Sequence, residues 1–116
     1  MHFYTLNHKI SVIKQLKVLK TINSIQPIVK KLAPLASKII LFGSSSRGEN
    51  LIDSDLDLLI ISNNLKEQIE ASLGKLKRKM NIQTIILTES GLLELKTKDP
   101  TFYEQILKGI NLWDQI

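Results

Sequence analysis

The chain has 116 residues, 43% apolar and 23% charged, the composition of one folded domain with a modest core rather than of a disordered segment or two domains. It has no cysteine, which excludes disulfides and thiolate metal sites, and its two histidines, His2 and His8, have no further ligand at metal-site spacing. The net charge of +5 is uneven: seven lysines and Arg47, with no acid, give +8 up to Gly48, and the remainder carries −3.

A basic segment ahead of an acidic one suits an anionic partner, whether nucleic acid, nucleotide phosphates or an acidic protein. The plainer alternative is that these lysines are the solvated faces of amphipathic helices. No apolar run approaches the roughly 18 residues of a membrane span, and the first residues lack the apolar stretch and cleavage site of a leader. The expectation is a cytoplasmic protein that does not engage a membrane.

From Lys9 to Ile22, Ile10, Ile13, Leu16, Leu19 and Ile22 recur every three residues or so with lysines between, which predicts an amphipathic helix with that stripe inward. A second helix starts near Ser24 or Ile25, carries Ile28, Val29, Leu32 and Leu35, and should end at Pro34. "KIILF" (38–42) and "LDLLII" (56–61) read as strands covered on both faces, joined by the loop "GSSSRGENLIDSD". Asn64 is placed to cap a helix from Leu65 to Met80 with Leu65, Ile69, Leu73, Leu76 and Met80 inward. "NIQTIIL" (81–87) is a third strand. Thr88 caps a short helix to about Lys96, Asp99-Pro100 starts another that stops at Gly109, and "INLW" (110–113) is an edge strand. The expected fold is α/β (α+β): a small mixed sheet with helices packed against it. The basic helices of residues 1–37 would pack on a core of residues 38–116 within one domain.

Asp55 and Asp57 interrupt an otherwise apolar strand. Residues i and i+2 of a strand project from one face, so the two carboxylates lie side by side and repel unless a cation sits between them. A hard divalent ion such as Mg²⁺ takes oxygen ligands of this kind and completes its shell with water and phosphate; the alternative is two acids on a solvated strand end. Upstream, Gly43-Ser44 follows a strand directly. Glycine lets backbone approach a phosphate, the N–H groups of the next turn with the Ser44 hydroxyl form an anion cradle, and Arg47 can reach phosphate oxygens. A phosphate cradle beside a paired-carboxylate metal site suits nucleotide chemistry.

Gly43-Ser44, ten intervening residues, then Asp55-Leu56-Asp57 resembles the glycine-serine and D-x-D signature of the polymerase β nucleotidyltransferase superfamily. "LFGSSSRGENLIDSDLDLLI" is similar to its MNT-type (minimal nucleotidyltransferase) members, and the tail "KDPTFYEQILKGINLW" resembles the end of a subgroup of them. The resemblance implies transfer of a nucleoside monophosphate from an NTP, expected to be ATP, to a protein or nucleic-acid hydroxyl. On that model Gly43 and Ser44 hold the phosphates, assisted by Arg47, and Asp55 and Asp57 are the catalytic acids that hold Mg²⁺. It also implies a possible role as antitoxin to a HEPN-type toxin, by modification or by binding alone. The basic N-terminal half leaves nucleic acid open as a further partner.

Catalytic members carry a third acid on a later strand. Here the polar face of 81–87 offers Asn81, Gln83 and Ile85, and Gln83 is the residue expected in that place. An amide cannot act as a base at neutral pH. Glu89 and Asp53 are the two acids that could substitute. Elsewhere Trp113, Phe102, Tyr103, Ile106 and Leu107 read as core, and "KLKRK" (75–79) as a solvated helix face.

Overall fold

The two apolar runs form the middle of the sheet, because only central strands are covered on both faces. The computed structural model describes residues 2–49, 55–64 and 66–115, with side chains from residue 8 onward. In chain order these form α1 (His2–Ser24), α2 (Gln26–Leu32), β1 (Lys38–Phe42), a 3₁₀ turn (Ser44–Arg47), β2 (Leu56–Ile61), α3 (Lys66–Lys79), β3 (Ile82–Leu87), α4 (Glu89–Lys98), α5 (Pro100–Leu107) and β4 (Ile110–Asp114). This is the mixed α/β architecture expected, with the helices and strands in the expected order.

The sheet runs β3-β2-β1-β4. β1 pairs antiparallel with β2 and β4, and β2 pairs parallel with β3. Alternation of side chains divides the apolar strands between two layers. Ile39, Leu41, Leu58 and Ile60 meet Ile28 and Leu32 of α2 and Ile69 and Leu73 of α3. On the other face Ile40, Phe42, Leu59 and Ile61 meet Ile106 of α5. There Phe102 packs edge-on to Phe42 at 5.7 Å between ring centres. Burying each such side chain contributes about 1.5–3 kcal/mol before entropy is counted.

The caps of the last two helices follow the sequence. Thr88 accepts a hydrogen bond from the Gly91 N–H at 3.0 Å, and Asp99 accepts one from Phe102 at 3.1 Å with Pro100 as first helical residue. Trp113 is half-buried and donates its indole N–H to the Ala36 carbonyl at 3.1 Å, closing the core edge. In "KLKRK" Lys75, Arg78 and Lys79 are solvated, and Lys77 pairs with Glu70 at 3.1 Å.

Four expectations are corrected. Among the described residues Asn64 makes no capping bond to α3; its side chain donates to the Leu35 carbonyl at 2.8 Å, just beyond α2. Expected as one continuous helix, α3 kinks at Gly74, the residue of lowest helix propensity in the run. Leu107 points to solvent while Ile106 beside it is buried. The largest correction concerns α1, whose expected stripe mostly does not face the core: Ile10 (45%), Ile13 (53%), Leu16 (58%) and Leu19 (54%) remain exposed, as does Val12 (42%), and of the expected residues Ile22 alone is half-buried. The 3₁₀ turn approaches the helix at Lys14, with Val18 half-buried beside it, and Thr21 is buried nearer the end of the helix. Among the described residues no helix is long and apolar enough to cross a membrane.

Candidate functional site

One end of the sheet gathers the polar residues of the central strands. β1 stops at Phe42, and Gly43 turns the chain with φ 75° and ψ −161°, a left-handed backbone that side chains resist. A Cβ added at Gly43 would stand 2.6 Å from the Asp57 Oδ2. The glycine therefore leaves a space that the carboxylate of the neighbouring strand enters. This contact follows from the antiparallel register, which pairs Phe42 with Asp57.

The turn after Gly43 is closed by Ser46, whose N–H and Oγ both donate to the Gly43 carbonyl, at 3.1 and 2.7 Å. Ser44, the first residue of the turn, is half-buried, and its carbonyl accepts the Glu49 N–H at 3.0 Å. Ser45 is buried, with no hydrogen-bond partner for its hydroxyl among the described residues. Arg47 lies on the α1 side of the turn. Its Nε donates to Glu49 Oε2 at 3.0 Å, and Lys14 of α1 reaches Glu49 Oε1 at 3.5 Å. The Arg47 hydrogen bond, offset in part by desolvation, holds the exposed Glu49 carboxyl below its ordinary pKa.

Asp55 is exposed just before β2, and Asp57 is half-buried as its second residue. Burial pushes the Asp57 carboxyl above its ordinary pKa, and the charge of Asp55 adds to the shift. A carboxylate kept out of water beside a second carboxylate is a donor set suited to a hard divalent cation. Asp55 and Asp57 could hold Mg²⁺, and the glycine-serine turn lies beside Asp57.

The parallel register places Gln83 of β3 directly beside Asp57. Its amide nitrogen donates to Asp55 Oδ2 at 3.4 Å. Gln83 thus stands where the sequence placed it, next to both acids. Glu89 cannot substitute: it lies past the far end of β3, lining a groove with Lys38 and Asp114. Six residues of extended chain separate it from Gln83, on the order of 20 Å. Asp53 lies outside the described residues. Among the described residues no group of three acids or imidazoles could hold a metal.

Sequence reasoning missed two features of the site. One is the Gly43–Asp57 contact, for which the only signal was a glycine at a strand end. The other is the closure of the turn by Ser46, whose two serine neighbours look equivalent in the text of the chain.

The fold is thus a mixed sheet that ends in a glycine turn beside two aspartates. The chain belongs to the nucleotidyltransferase domain family, whose sequence model matches residues 22–108. Among solved structures it is similar to a Sulfolobus solfataricus protein classed as a nucleotidyltransferase, at 19% identity over 88% of this chain and 87% of that one, with a TM-score of 0.52. A toxin–antitoxin structure with AMP-PNP aligns at 22% identity over 80% of this chain and 73% of that one, also at TM-score 0.52. A toxin–antitoxin MntA–HpeT variant, with two aspartates two positions apart changed to glutamate, aligns at 20% identity over the same shares, with a TM-score of 0.52. At these identities the likeness is one of fold. No match is found among curated protein sequences.

Proposed function

We propose that this protein binds ATP with Mg²⁺ at the end of the sheet and transfers the nucleoside monophosphate to a hydroxyl of a protein or nucleic acid, as the antitoxin member of a pair with a HEPN-type toxin. The observation that carries this reading is the contact of Gly43 with Asp57 Oδ2, which makes the anion-binding turn and the paired acids one site rather than two. Family membership supports the reaction type. The similarity to a toxin–antitoxin structure with AMP-PNP supports the nucleotide and the partner class.

Asp55 and Asp57 would hold the cation, Gly43 and Ser44 would receive the phosphates, and Arg47, its Nε engaged by Glu49, would join them through its remaining N–H donors. The bound metal supplies charge neutralisation at the transferred phosphoryl group and orients the leaving pyrophosphate. Asp57, desolvated and beside Gly43, brings negative charge to within contact of the anion-binding turn. Bound triphosphate and bound cation therefore require each other. Gln83 keeps Asp55 oriented but cannot take the proton of the acceptor hydroxyl. Absence of a general base costs roughly 10²–10⁴-fold in rate, so transfer is slow.

Gln83 also favours a second reading, in which the domain binds nucleotide and partner without transfer. Incubation of the protein with α-labelled ATP, Mg²⁺ or Mn²⁺ and host lysate separates the two. A labelled acceptor that disappears in Asp55→Ala is the expected result. Calorimetric ATP binding without label would establish the second reading. Absence of ATP binding as well would remove the site assignment.

A further inference from the structure

The five exposed side chains of α1 are not scattered. At about 100° per residue they cover roughly half the circumference of the helix, from Ile10 through Ile13 and Leu16 to Val12 and Leu19. Single exposed leucines are ordinary, but five large apolar side chains on one half of a helix mark a surface that meets another molecule. Val18, Leu19 and Ile22 continue it into a groove of about 440 Å³ whose opposite wall is Ser46 and Arg47.

Charge decides what covers this face. Lys9, Lys17 and Lys20 project from the same half of α1, between the apolar side chains. Of the lysines on α1, only Lys14 has an ion-pair partner among the described residues. No acid occurs in the first 48 residues. A second copy docking by a two-fold axis would set α1 against itself and bring six lysines together. A membrane-surface helix keeps its lysines on the face opposite its apolar side chains, whereas here the two are interleaved and insertion would carry the lysines inward. We infer that α1 is the docking element for a partner protein helix whose apolar stripe is flanked by glutamates or aspartates, with one apolar side chain entering the groove beside Arg47. The inference does not rest on nucleotidyl transfer, since a chain without catalysis would carry the same face.

The 116-residue protein is titrated with two synthetic helical peptides sharing a leucine stripe, one flanked by glutamates and one by lysines. The expected result is binding of the glutamate peptide alone, with carbodiimide cross-links at Lys9, Lys17 or Lys20. Ile13→Glu with Leu16→Glu weakens it about tenfold or more, the effect of losing a buried anchor, with no change in the thermal midpoint because both positions are exposed. Lys17→Glu with Lys20→Glu reverses the preference toward the lysine peptide. Equal binding of both peptides, or of neither, overturns the inference. So does a dimer in sedimentation equilibrium that the Ile13→Glu/Leu16→Glu variant abolishes, since that makes a second copy the occupant. Binding of anionic vesicles or of a single-stranded RNA in place of the glutamate peptide overturns it equally.

Discussion

At the scale of single residues the site depends on the missing side chain of Gly43. Gly43→Ala would put a methyl group 2.6 Å from Asp57 Oδ2 at a backbone φ of 75°. That backbone, open essentially to glycine alone, costs an alanine about 1–3 kcal/mol, and the carboxylate must move as well. The expected outcome is a folded protein that has lost calorimetric ATP·Mg²⁺ binding and unfolds at a lower denaturant midpoint. Asp57 allows a second test. Its pKa is raised in the folded state by burial and by Asp55, so the ionised form opposes folding above the folded pKa. That cost disappears as pH falls toward the unfolded value, where both states are protonated. Without metal, Asp57→Asn should therefore be more stable than the unmutated protein at neutral pH, and the difference should shrink as pH falls through the acid range. Urea midpoints of the two proteins at a series of pH values measure this. A difference independent of pH would mean that Asp57 is not electrostatically destabilised.

At the scale of elements, the parallel pairing of β2 with β3 fixes which residue meets the acids. Because Asp57 pairs with Gln83, Gln83→Asp would create a third carboxylate without moving the backbone. The labelling rate with Mg²⁺ should rise, by up to the roughly 10²–10⁴-fold that a general base supplies, while the metal-free protein loses stability to added carboxylate repulsion. A variant that gains repulsion but no rate would show that transfer lacks more than a base. The 3₁₀ turn and α1 make a comparable junction. A Cβ at Gly48, whose φ is 68°, would stand 2.2 Å from the Lys14 carbonyl. Gly48→Ala should separate α1 from the turn, lower the thermal midpoint and raise amide exchange in α1 while leaving the sheet protected. The strands, their chain order, the Thr88 and Asp99 caps and Gln83 beside Asp57 were all legible in the sequence. Each depends on local periodicity, on a cap or on the spacing of one motif. The burial of α1 was not legible, because Ile10, Ile13, Leu16 and Leu19 have the spacing of an inward stripe whether or not a neighbour covers them. Which line of that helix packs is set by Gly48, more than two dozen residues beyond its middle. The surroundings of Arg47 were hidden for the same reason: its guanidinium can serve a phosphate or Glu49, and only tertiary contact with Lys14 shows the ion-pair network it joins.

For the whole molecule, the site couples to stability through binding. Three polar stretches from β1, β2 and β3 converge at one end of the sheet, and two of their acids repel when no cation is present. A ligand that binds only the folded state stabilises it by RT ln(1 + [L]/Kd), about 2.7 kcal/mol at a hundredfold excess over Kd. For a domain near this size, each kcal/mol moves the thermal midpoint by about 4–8 °C. ATP with Mg²⁺ should therefore raise the midpoint by on the order of 10–20 °C at that excess, while ATP alone or Mg²⁺ alone raises it much less, since cation and triphosphate each lack their counter-charge without the other. Asp55→Ala with Asp57→Ala should start at an equal or higher midpoint than the unmutated protein, because the repulsion is gone, and should show no joint increment. A differential scan of the two proteins, each with ATP, with Mg²⁺ and with both, measures every term. Equal increments from ATP in the presence and absence of Mg²⁺ would place the nucleotide away from the two aspartates and disconnect the anion-binding turn from them.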